Sequence, residues 1–111
     1  MLGVLLLLAA ADPLTAPAAG PAVTCLIVGR QLEYKVASAD VLLVRAGRRW
    51  HRSRLPDGCP GLKPNMIIMR RDASPRACAN DLFEVKDNFT PEVFSLCRFG
   101  RFEPLNKASR F

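Results

Sequence analysis

QLEYKVASADVLLVRAGRRWHRSR, residues 31–54, carries the two signals on which the fold turns. Its first six residues alternate strictly and place Leu32, Tyr34 and Val36 on one face, the period of a half-buried strand. DVLLVR is apolar and β-branched enough for a buried strand, and TCLIVG upstream reads the same way. Ala37-Ser38-Ala39 can join two such strands as a short hairpin, although it lacks a strong turn signal. The end of the stretch holds the densest positive charge in the chain. If it is extended, Arg48, Trp50, Arg52 and Arg54 line one face, and Arg49, His51 and Ser53 the other.

Downstream, Pro56-Asp57-Gly58 and Lys63-Pro64-Asn65 have turn chemistry, because proline presets φ while glycine and asparagine accept positive φ. They frame Cys59, and MIIM at 66–69 follows as another strand. Ser74-Pro75 and Thr90-Pro91-Glu92 read as helix starts, with a hydroxyl at the N-cap and proline in the first helical position. Val93, Phe94 and Cys97 then share a helical face, so a short helix is expected to end near Cys97. The expected class is mainly β with short C-terminal helices (α+β), or a small barrel with helical additions.

A length of 111 residues allows one domain. The apolar run Leu2–Ala11 is shorter than the roughly 20 residues that cross a bilayer. It resembles the apolar part of a secretory signal peptide, with Ala16-Pro17-Ala18 as the cleavage site, although no Lys or Arg precedes it. The alternative is a buried amino-terminal strand. The division expected is a signal peptide at 1–18, a small disulfide-linked β-rich domain at 19–98 and a loose basic tail at 99–111. Cys25, Cys59, Cys78 and Cys97 are even in number, and none are spaced C-x-x-C. That favours two disulfides over a zinc site and leaves three pairings open; four free thiols are the intracellular alternative.

The stretch RRWHRSRLPDGCPGLKPNMIIM, Arg48 to Met69, resembles the netrin-type module in its Trp50, Arg52-Ser53-Arg54, Cys59-Pro60, Leu62-Lys63-Pro64 and MIIM steps. CLIVGRQLEYKV is similar to that family's early strands. The resemblance implies a small OB-like barrel, the fold the family shares with tissue inhibitors of metalloproteinases. This chain is shorter than the usual module, has four cysteines against the usual six, and carries Arg70 where glycine is customary. An incomplete barrel, or the truncated product of a larger extracellular protein, is what those departures imply.

The formal charge is +6, and it is polarised. Between Val41 and Pro56 stand five arginines, Arg45, Arg48, Arg49, Arg52 and Arg54, with no acid among them. Guanidinium forks match sulfate and phosphate oxygens, and Trp50 adds a stacking face. In a secreted protein this reads as a site for heparan sulfate or another extracellular polyanion, or for a cell-surface receptor or matrix protein. The plain alternative is a solvated basic loop, and inside a cell nucleic acid would be the equivalent partner. Arg45-Ala46-Gly47-Arg48 and the pair Arg48-Arg49 also fit processing sites, which makes a precursor of a secreted peptide the competing class. Asn88-Phe89-Thr90 is a glycosylation sequon followed by Pro91. His51 stands alone among arginines, which should depress its basicity, and the sequence has no HExxH, G-x-S-x-G or phosphate loop. No catalytic residue, cofactor or metal is expected.

Overall fold

The computed structural model describes residues 12–27, 32–89 and 92–106. Its nine strands are β1 (Cys25–Ile27), β2 (Glu33–Ser38), β3 (Val41–Ala46), β4 (Arg49–Arg54), β5 (Ile67–Arg70), β6 (Arg76–Cys78), β7 (Leu82–Lys86), β8 (Val93–Arg98) and β9 (Phe102–Pro104). They form three antiparallel sheets, ordered β1-β6, β2-β3-β4-β9 and β5-β7-β8. The described residues contain no helix, so the class is all-β and the α+β expectation is corrected. No ladder among the described residues joins these sheets into a single closed barrel.

The helix signals failed for local reasons. Ser74 Oγ does accept an N–H, from Arg76 at 3.1 Å, but as a turn that leads into β6. Asp72 holds the Ser74 N–H from the other side at 2.9 Å. β6 then pairs with β1, where Cys25 and Cys78 stand opposite one another. Thr90 and Pro91 lie outside the described residues. After them Val93–Arg98 is a strand, with a register shift against β7 between Val85 and Lys86. Cys97 points inward while Val93 and Phe94 are exposed, so the three do not share a face.

The strands read from alternation stand. Leu32, Tyr34 and Val36 pack against the core beside Leu42 and Val44 of β3. Ile68 of β5 and Phe83, Val85 and Cys97 of the three-stranded sheet meet the same core. The tail is different from its expected state. Phe99, Phe102 and Leu105 are fully buried, and Phe99 stacks between Phe83 and Phe102 with centroids 4.6 and 5.6 Å away. β9 pairs with β4, and the Leu105 N–H donates to the Trp50 carbonyl at 2.9 Å. The expected loose tail therefore contributes Phe99, Phe102 and Leu105 to the core while Arg101 and Asn106 stay exposed; residues 107–111 lie outside the described residues.

Gly100 makes the return to β9 possible. Its N–H donates to Ser53 Oγ at 2.9 Å, Ser53 Oγ donates back to its carbonyl at 3.1 Å, and a Cβ there would collide with the Arg54 carbonyl. The open pairing question is also answered: Cys25 bonds Cys78 and Cys59 bonds Cys97. Closing loops of 53 and 38 residues removes unfolded-state entropy equivalent to about 4 kcal/mol each. That matters in a chain with so small a core.

Candidate polyanion-binding face

Strand parity decides which arginines can meet a ligand. In β3 and β4 the inward positions are Leu42 with Ser53 and Val44 with His51. The outward positions pair Arg45 with Trp50, Leu43 with Arg52 and Val41 with Arg54. Trp50, Arg52 and Arg54 thus share a face as their alternation requires, while Arg48 sits in the hairpin turn. That turn is two residues long, and Gly47 takes φ 66° in its first position, as the tight hairpin turns that match strand twist require.

Arg52 is on the outward face but is not available there. It is 3 % exposed. Its Nε donates to Glu103 Oε1 at 2.7 Å, and its Nη1 donates to the carbonyls of Ala16 and Pro13 at 2.6 and 3.2 Å. Residues 12–16 make the turn that supplies those carbonyls. Asp12 Oδ1 accepts from the Leu14 N–H, and the Asp12 carbonyl accepts from Thr15 and Ala16. Beyond it, the Ala19 N–H donates to Pro104, and Val23 exchanges both backbone bonds with Phe102. The segment expected to end in a cleavage site therefore runs along β9 and covers Arg52. Residues 1–11 are outside the description.

The hydrogen bond from Arg52, with the nearby charges of Arg52 and Arg54, holds the Glu103 carboxyl below its ordinary pKa despite partial burial. Arg54 reaches the same oxygen at 3.2 Å and is itself more than half exposed. Two arginines thus share one acid. Glu103 is the residue the sequence reading missed, and its only signal was being the lone acid of a basic tail.

The accessible cations gather at the other end of the hairpin. Arg45 and Arg48 are exposed and Arg49 is half-buried. Arg45 pairs with Glu33 across β2 and β3. The Trp50 ring lies between two cations, Lys35 Nζ at 5.5 Å and the Arg45 guanidinium carbon at 5.8 Å from its centroid. Both distances fall within the range of cation–π attraction. Lys35 was not anticipated as part of this group, although the alternation of QLEYKV already placed it opposite the core-facing set.

His51 is buried, and its Nδ1 has no hydrogen-bond partner. Its pKa is lowered first by desolvation, while the expected influence of neighbouring arginine, from Arg49, is the smallest cause. Arg48-Arg49 occupies a tight paired hairpin rather than an extended loop, which a processing enzyme would have to open. Asn88 is exposed, with its side-chain amide donating to the Asn65 carbonyl at 2.7 Å. Among the described residues no cluster of His, Cys, Asp and Glu could hold a metal ion. Comparison with known protein families, curated proteins and solved structures finds no match.

Proposed function

We propose that this is a secreted, non-enzymatic binding module that takes sulfated or carboxylated polyanions of the heparan sulfate class at the end of the β3–β4 hairpin. One observation carries the reading: Lys35 and Arg45 flank the Trp50 ring, and exposed Arg48 and half-buried Arg49 follow at the adjoining Gly47 turn, with Glu33 paired to Arg45. The paired strands fix the backbone positions of these residues, so little backbone order has to be created on binding. The two disulfides are compatible with an oxidising, extracellular setting. The likeness to netrin-type modules points to the same setting. Arg54 extends the surface toward β9, whereas Arg52 supports the fold from beneath.

The test compares two triple variants of equal charge. Arg45, Arg48 and Arg49 are changed to Ala in one, and the exposed Lys63, Arg76 and Arg98 in the other. The hairpin triple should elute from heparin at clearly lower salt than the second triple. Equal elution would mean that bulk charge alone drives binding and would overturn the site.

A further inference from the structure

We propose that the outward face of the three-stranded sheet is the interface of a homodimer. On β5, β7 and β8 the register forms two rows across this face. One is Ile67, Lys86 and Val93, and the other is Met69, Glu84 and Leu96. The four apolar members are 40–47 % exposed. The opposite face of the same sheet carries Ile68, Phe83, Val85 and Cys97 into the core.

The arrangement is self-complementary. A twofold axis lying in the face, perpendicular to the strands and midway between the rows, exchanges one row for the other. It sets Lys86 over Glu84 of the second copy, Ile67 over Met69, and Val93 over Leu96. Apolar groups then meet apolar groups, and each central charge meets its opposite, as an isologous interface requires. Facing sheets pack about 10 Å apart, within reach of these side chains.

Within one chain Glu84 lies 3.5 Å from Arg71 Nε and 3.7 Å from Lys86 Nζ. These long contacts let Glu84 turn to a lysine of the second copy. The four apolar residues expose roughly 350 Å² together, about half of the ~800 Å² that each partner of a standard interface buries. The dimer is accordingly weak and concentration-dependent.

Sedimentation equilibrium of the full chain tests this. The wild type should show a reversible monomer–dimer equilibrium, and Leu96→Glu should remain monomeric with an unchanged melting curve. Glu84→Lys and Lys86→Glu should each weaken association by roughly tenfold, because like charges then face each other. The double swap should restore it, which a merely sticky apolar face would not do. Monomer at every concentration, a dimer indifferent to Leu96→Glu, or a double swap as weak as the single changes would overturn the proposal. So would a monomer that instead binds anionic vesicles through Leu96, which would assign the face to a lipid surface.

Discussion

The two larger sheets each turn one face away from the core, and the two faces are finished in opposite ways. On the four-stranded sheet the outward side chains are mostly charged and tied down: Arg52 and Arg54 on Glu103, Arg45 on Glu33, Lys35 over Trp50. Residues 13–16 complete the cover above Arg52. On the three-stranded sheet, Ile67, Met69, Val93 and Leu96 stand open around Glu84 and its partners Lys86 and Arg71. Charge density therefore says little about accessibility. The most basic strand buries its central arginine, while the apolar side chains that would conventionally sit inside are the ones exposed.

The largest effect should come from breaking the covered face. Glu103→Ala removes the carboxylate from a guanidinium that is nine-tenths buried, and losing one partner of a buried pair leaves the other charge uncompensated. Glu103 is partly exposed and, in the chain that retains residues 12–18, Arg52 keeps its two carbonyls, so the loss there should be about 2–3 kcal/mol in urea denaturation, below the full cost of an isolated buried pair. The matching change on the open face, Met69→Ser at monomeric concentration, should stay within about 0.5 kcal/mol. Similar losses at both positions would erase the distinction between the faces.

A smaller effect distinguishes the inward from the outward side of β4. His51 faces the core with its pKa below 6.5, so the unfolded chain takes up a proton before the folded chain does. Its contribution is whole above pH 6.5 and declines as the pH falls below that value. Glu103, with its pKa below 4.5, contributes fully above 4.5 and loses its contribution as the pH falls through its lowered value. Denaturation midpoints should therefore fall in two stages on acidification. His51→Gln should remove the first stage and leave the second; a first stage that persists in His51→Gln would mean that another group titrates there.

Much of the β scaffold was legible because its signals are local. Alternation in QLEYKV, the apolar run in VLLVR and the proline turns around Cys59 each depend on residues a few positions apart. The Lys63-Pro64-Asn65 turn forms as its chemistry implies, with Asn65 at φ 73°. The late helices were misread because Ser-Pro marks a turn as readily as a helix start. A short apolar cluster such as Val93, Phe94 and Cys97 also has no unique period once a bulge intervenes. The candidate site was half legible: parity placed Trp50, Arg52 and Arg54 together correctly. That Arg52 lies under residues 13–16 and against Glu103, 51 positions away, has no local signature at all.

The most direct test of the hairpin-end site is the salt dependence of heparin affinity, measured as the slope of log K against log salt. Each cation that contacts a polyanion releases counterions and adds close to one to that slope. Arg48→Ala should weaken binding and flatten the slope by about one, because Arg48 stands free at the turn. In the chain that retains residues 12–18, Arg52→Lys should leave the slope of the folded protein unchanged, because Arg52 donates to Glu103 and to the Pro13 and Ala16 carbonyls. A slope that drops with Arg52→Lys and holds with Arg48→Ala would contradict the placement of the binding face.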